Sequence, residues 1–368
     1  MRRSFNASVA AVLVGAMFSL PLVACGADNT ITLRDVDGFF DVHTSAQAAY
    51  LAGDYKNVPA NGVEELSRPQ PLRLSWNAEG SADFTVELAR DADFDDCVTY
   101  RTKKPYLDVY NLYVGTVYGW RVTARFSGGE TVTSDTSFFY TEETAPRNMY
   151  VDGITNVRDL GGWKINGSDE RVKQGMIYRC GRLNKSRQPE IEIEITERGV
   201  LTMLGEMGIK SEVDLRTPDK NGPETGGITS SPLGDGVTYF VVPLNWEQLI
   251  NEKASIVRMF EILADINNYP LIFHCDIGTD RTGMFAFLIN GLMGVAEEDL
   301  YRDYLFSNFA NIGDKRSLSN ITGANGYVTK IKAHKGLLLK DKIRNYLVEV
   351  VGVDESDIDA MCEILSDN

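Results

Sequence analysis

Leu271-Ile272-Phe273-His274-Cys275-Asp276-Ile277-Gly278-Thr279-Asp280-Arg281-Thr282-Gly283 is the stretch from which the architecture can be worked out. Its first three residues are a short apolar run, the mark of a buried strand, and the apolar stretch from Met284 to Met293 reads as a helix. A turn from strand to helix aims successive backbone N–H groups at one point, which makes it an anion site. Cys275 opens that turn, facing the helix N-terminus and Arg281, and both favour thiolate over thiol. Arg281 can grip two oxygens of one tetrahedral anion, as a lysine in the same place could not. Gly278 lets the backbone approach the ligand closely. A bare Cys-x5-Arg is a weak signal. Histidine before it, Thr-Gly after it, and a strand and a helix on either side make it a strong one.

Working outward, Thr196 is placed to cap a helix running to Glu206, Gly208 to stop it, and Ile209 to Leu215 to form the next strand. Helix, glycine and strand, then strand, loop and helix, predict an α/β domain around a central, largely parallel sheet. Its ligand site should lie at the carboxyl ends of the strands, where Cys275 is.

Several blocks then fall in a recognisable order. Asn156-Val157-Arg158-Asp159-Leu160-Gly161-Gly162, Tyr178-Arg179-Cys180-Gly181-Arg182-Leu183, Gly208-Ile209 with Val213-Asp214-Leu215-Arg216, the Cys275 loop, and Asp303-Tyr304 with Ser307-Asn308 together resemble the bacterial tyrosine/serine protein phosphatases with an atypical signature loop. The resemblance spans about 150–365. It implies phosphomonoester hydrolysis through a phosphocysteine, with Cys275 as nucleophile, Arg281 on the phosphate and no cofactor or metal. It implies that Asp276, Ile277, Gly278 and Thr279 present backbone N–H groups to the substrate. Arg158 is expected to line the site or brace the loop, with Asp159 beside it. His274 and Thr282 would support the loop and the thiolate. The sequence departs from the family at Thr279, where a lysine is common, which weakens the case for multiply phosphorylated lipids. It also lacks Trp-Pro-Asp; Val242-Pro243-Leu244-Asn245-Trp246 carries no acid. The resemblance instead offers Asp280 in the loop as the general acid, with Asp214 at a strand end as the second choice. Cys180 stands where the family has serine, either as a resolving thiol or as an inert buried residue.

The first half is different. Leu72, Leu74 and Trp76, then Phe84, Val86 and Leu88, then Tyr118, Trp120, Val122, Ala124 and Phe126 alternate with polar residues, separated by turn signals. That predicts an all-β sandwich over 69–145. Trp76, Leu112 and Tyr118 at their spacing resemble a fibronectin type III domain, whose partner is unknown. Ala145-Pro146-Arg147 reads as a linker, so the catalytic domain is 146–368. Met1-Arg2-Arg3 and the apolar run Val9 to Val23 make a secretory leader. It ends Leu22-Val23-Ala24-Cys25, which resembles a lipobox. The leader is then 1–24, Cys25 carries lipid, and the protein is exported and anchored in a bacterial envelope. Residues 25–68, without a clear period, are expected to be a tether with an edge strand.

The chain of 368 residues carries 37 basic and 52 acidic residues, a net charge of -15. That field repels nucleic acid and means that an anionic substrate must be held locally. Five cysteines are too few for a disulfide scaffold. His43 and His334 have no ligand-spaced neighbours and are expected at the surface. The reading is an exported phosphatase for phosphotyrosine, with phosphoserine/threonine also open to it. The alternatives are a phosphatase for inositol phosphates or phosphoinositides, or a non-enzymatic adhesion protein.

Overall fold

A computed structural model describes residues 29–36, 39–184, 191–217 and 224–366. The leader and Cys25 lie outside the described residues. Among those residues, nine strands precede residue 142: β1 (Thr32–Leu33), β2 (Phe39–Phe40), β3 (Leu72–Asn77), β4 (Ser81–Ala89), β5 (Cys97–Thr102), β6 (Tyr106–Val109), β7 (Val117–Phe126), β8 (Thr131–Thr133) and β9 (Ser137–Thr141). They form two sheets, β1-β3-β6 and β2-β9-β7-β4-β5, with β8 on β7. All pairs are antiparallel except β2 with β9. The alternating residues of β3, β4 and β7 face one another: Leu74, Trp76, Val86, Leu88, Trp120 and Val122 share one core. The period-two pattern thus produced two faces that can be buried only against each other.

The third sheet runs β10 (Arg158–Asp159), β11 (Ile177–Cys180), β14 (Leu271–His274), β12 (Ser211–Asp214), β13 (Thr238–Val241) in spatial order. β10 is antiparallel to β11, and the other neighbours are parallel. Every residue of β11, β12 and β14 is buried, as expected of strands covered on both faces. The helices are α1 (Ser45–Ala52), α2 (Glu197–Leu201), α3 (Lys253–Leu263), α4 (Asp280–Leu292), α5 (Glu297–Phe306), α6 (Ser319–Thr322), α7 (Tyr327–Lys332), α8 (Leu339–Tyr346) and α9 (Glu355–Ile364). Thr196 caps α2 by accepting from Gly199 N, and Gly208 takes φ +64 before β12. α4 is buried from Arg281 to Leu292, so its apolar stretch is a central element of the core.

Residues 29–68 are not a loose tether. β1 adds to β3 as an edge strand and β2 to β9, with Val42 in the sandwich core, but the chain from α1 onward packs on the α/β unit. Tyr50 sets its ring 5.7 Å from Phe309 and 6.4 Å from Phe306. Tyr50, Leu51, Val58 and Ala60 belong to the same core as α4. Gly62 N donates to Asn308 O at 2.9 Å, and Asn148 Nδ2 to Ser67 O at 2.8 Å. His43, expected at the surface, is buried, with Nε2 2.8 Å from Pro146 O and Nδ1 2.8 Å from Asp41. His334 is half-buried and pairs with Glu349 at 3.3 Å. Arg147 bolts the two halves together, donating to Asp159 Oδ2 at 2.7 Å and to the Asn111 and Leu112 carbonyls.

A chain beginning at residue 146 should therefore melt well below one beginning at residue 40. It uncovers Phe306 and Phe309 and orphans Asn148. Each large apolar side chain returned to water costs about 1.5–3 kcal/mol. Equal thermal midpoints for the two chains would show that the segment contributes nothing to this core.

Candidate active site

β14 delivers Cys275 at the carboxyl edge of the sheet, between the ends of β11 and β12. Leu215 N donates to His274 O at 2.9 Å. On the other side Gly278, at φ +69, lies so close to β11 that a Cβ there would stand 2.4 Å from Cys180 O. No other residue type fits that approach. The loop's carbonyls are tied from behind. Asn156 Nδ2 donates to Ile277 O at 3.1 Å and Gly278 O at 3.0 Å, and Arg179 Nη2 to Gly278 O at 2.7 Å. The backbone N–H groups from Asp276 to Arg281 donate to nothing among the described residues. A run of uncommitted N–H groups over a buried cysteine and at the start of α4 is a cradle for an oxyanion.

Arg281, in the first turn of α4, stands beside this cradle, and its side chain is held by Glu224. Its Nη1 and Nη2 donate to Glu224 Oε2 at 2.8 Å and Oε1 at 2.5 Å, and its Nε is uncommitted among the described residues. Burial works against the Arg281 charge, but the Glu224 bond and the neighbouring Cys275, Glu224 and Asp276 outweigh it and raise the guanidinium above its usual range. For Glu224, burial pulls upward, and the bonds from Arg281 and Thr217 hold the carboxyl below its usual range. Nothing in the sequence marks Glu224. It is one acid in a Gly/Pro-containing loop, and nothing local ties it to an arginine 57 residues on.

The other expected site residues fall into two groups. Asp276, Ile277, Gly278 and Thr279 form the loop itself. Arg158 does not line it: the side chain is fully buried beneath, bonded to Asn156 Oδ1 at 2.8 Å and Ser307 Oγ at 3.1 Å and paired with Asp303 at 3.1 Å. It can brace the loop through Asn156 but cannot reach a substrate. Asp303 also holds Arg179 at 2.7 Å, so one carboxylate steadies both arginines behind the loop. Asp159 does not touch the loop. It accepts from Gly161 N, Gly175 N and Arg147, and it locks the domain junction.

Asp280 and Asp214 prove to be in unlike surroundings. Asp280, the first residue of α4, accepts from Tyr304 OH at 3.3 Å and from Arg316 Nε and Nη2 at 3.2 Å each, and its side chain keeps 29% of its exposure. Asp214 is sealed, accepting from Arg216 N, Nε and Nη2 and from Tyr239 OH. Burial would raise the Asp214 carboxyl, but His274 and Arg216 hold it low. His274 Nε2 lies 2.8 Å from Glu212 Oε1, and its Nδ1 is 3.2 Å from Cys275 O. Glu212 is a carboxyl in the middle of a buried parallel strand, tolerated because Ser231 and His274 satisfy it. Thr282 Oγ1 is buried and makes no hydrogen bond among the described residues, so no bond to the Cys275 sulfur is formed here. Burial, reinforced by Glu212 and Cys275, pushes the Cys180 thiol well above its usual range, which favours the inert thiol over a resolving one.

Residues 149–367, more than half of the chain, match the family described as the tyrosine phosphatase family. A Cupriavidus necator protein named as a candidate tyrosine-protein phosphatase is 28% identical over 186 residues, covering 45% of this chain and 64% of that one. A Nostoc commune tyrosine-protein phosphatase is 26% identical over 129 residues, covering 28% and 42%. The chain thus spans less than two thirds of the length of either relative. Among solved structures, Pseudomonas aeruginosa TpbA bound to phosphotyrosine covers 50% of this chain and 96% of its own at 17% identity, with a TM-score of 0.30. The catalytic core of the Saccharomyces cerevisiae PP-IP phosphatase SIW14 covers 41% and 84% at 16% identity, with a TM-score of 0.28. Likeness at that level carries no further weight.

Proposed function

We propose that this chain, which belongs to the tyrosine phosphatase family, hydrolyses phosphotyrosine by way of a phosphocysteine. It is a protein-tyrosine-phosphatase-like hydrolase; the substrate and the covalent intermediate are our reading. The observation that carries it is the cradle: a buried cysteine under uncommitted N–H groups, with the Arg281 guanidinium held by Glu224 close enough to feel the Cys275 charge. In the first step the Cys275 thiolate attacks phosphorus, the P–O bond to the phenol breaks, and the leaving oxygen takes a proton. In the second, water attacks the phosphocysteine, gives up its proton, and releases phosphate and thiolate. Loop N–H groups and Arg281 hold the equatorial oxygens throughout. Asp280 is the residue we assign to both proton transfers.

The test is a side-by-side panel of phosphotyrosine peptides, phosphoserine peptides, phosphoinositides and inositol hexakisphosphate. Phosphotyrosine should give the highest kcat/KM, EDTA should not change it, and vanadate should abolish it. Activity lost to EDTA, or turnover confined to the inositol phosphates, would overturn the reading.

We read the two-sheet unit as fibronectin type III-like. Support comes from its strand orders and from Tyr118, whose hydroxyl accepts Tyr113 N at 2.8 Å across the corner into β7. We also propose export and lipid anchoring at Cys25, on the leader pattern ending at that cysteine. Cys25→Ala should move the protein from the detergent phase to the aqueous phase, and unchanged partitioning would remove the anchor.

A further inference from the structure

Arg316, the partner of Asp280 in the catalytic loop, also helps wall a second cavity of about 330 Å3. Val58, Leu305 and Leu318 give this cavity an aliphatic lining, and Lys56, Lys315, Arg316 and Ser317 complete it. Lys56 and Val58 come from the N-terminal segment, outside the 149–367 that match the family. The carboxylates nearby sit on the arginine: Asp280 at 3.2 Å and Asp314 at 3.8 Å. The two lysines have no ion-pair partner among the described residues. Lys315 Nζ donates to the Val58 carbonyl at 3.1 Å, and Lys56 Nζ lies 5.5 Å from the Tyr55 ring centroid. Two uncompensated ammonium groups beside an apolar lining stand out in a chain of net charge -15. They oppose, at short range, the field that repels an anionic substrate.

We propose that this cavity is a second subsite of the phosphatase centre, taking the acidic side chain of a glutamate that flanks phosphotyrosine in the same peptide. The proposal rests on the phosphotyrosine reading above. The carboxylate would meet Lys56 and Lys315, and the glutamate methylenes would cover the Val58, Leu305 and Leu318 lining. Arg316 is shared between the two subsites, so it holds them at a fixed separation, and only some positions of the glutamate can satisfy both.

The experiment uses the full chain and phosphotyrosine peptides in which one glutamate is moved through the three positions on either side, with a glutamine partner for each. One position should lower KM about tenfold relative to glutamine, a gain of the size that a pair of exposed charge contacts supplies. Lys56→Ala with Lys315→Ala should erase that difference and leave kcat/KM for free phosphotyrosine unchanged. Should the double variant fail to fold, high salt on the native chain gives the same reading, since screening erases an exposed charge preference. No preferred position, or a preference that survives both the variant and the salt, overturns the subsite. A native chain that does not hydrolyse free phosphotyrosine removes the reading beneath it and the subsite with it.

Discussion

Cys275→Ser should leave no measurable turnover while oxyanion binding persists. The two halves of that result come from different parts of the site. Turnover needs the sulfur nucleophile, and a serine hydroxyl in the same cradle is a far weaker one. Removing the nucleophile of a covalent mechanism ordinarily costs about 10⁴–10⁶ in rate. Binding needs the N–H groups from Asp276 to Arg281 and the Arg281 fork, and the substitution touches neither. Vanadate or phosphate should therefore bind the variant about as tightly as the native chain, read by calorimetry. Arg281→Lys should fail in the opposite sense. It retains the thiol but loses the planar fork and the two-point bond to Glu224, so both binding and turnover fall. Hydrolysis by purified Cys275→Ser within tenfold of native would remove Cys275 as nucleophile.

The cradle was legible in the sequence because it is local. A strand, a Cys-x5-Arg turn and a helix occupy adjacent residues, and their geometry follows from the order in which they come. The braces were not legible, since each joins residues far apart. Glu224 meets Arg281, Glu212 meets His274 across neighbouring strands, and Asp303 meets both Arg158 and Arg179. Of these, Asp303 lay within a recognisable motif, yet nothing local said that it faces two arginines. The motif leaves open whether Arg158 lines the site or braces the loop. In the fold it is on the antiparallel edge strand β10, and its side chain passes under the loop. The edge strand expected in residues 25–68 is β1, but the packing of the rest of that segment is illegible for a related reason. Tyr50, Leu51 and Val58 follow no single period, because what buries them is the surface of α5 and the turn after it rather than a face of their own. Alternation sufficed for β3, β4 and β7, where the pattern and the burial share one period.

Asp280→Asn should slow aryl phosphates with poor leaving groups far more than those with good ones. A phenol of low pKa departs as its anion without help; one of high pKa must be protonated as the P–O bond breaks. General acid catalysis is worth about 10²–10⁴, and the amide can supply none of it. Phenyl phosphate should therefore lose at least a hundredfold in kcat while 4-nitrophenyl phosphate loses little. Asp214→Asn is the control. Its carboxyl is fully buried under Arg216 and Tyr239, so it cannot meet a leaving oxygen, and His274 and Arg216 hold it low. Its loss should lower stability without any dependence on the leaving group. The competing view gives Asp280 the same kind of role, because it accepts from Arg316 and Tyr304 and could serve only to fix the start of α4. That view predicts equal slowing across the whole series and weaker vanadate binding, since a shifted α4 moves Arg281 and the cradle together. Two facts favour the acid: Asp280 is exposed enough to exchange protons with solvent, and it stands next to Arg281 in the loop. Equal slowing for phenyl and 4-nitrophenyl phosphate would sink the assignment, and it would do so even in a nearly inactive variant.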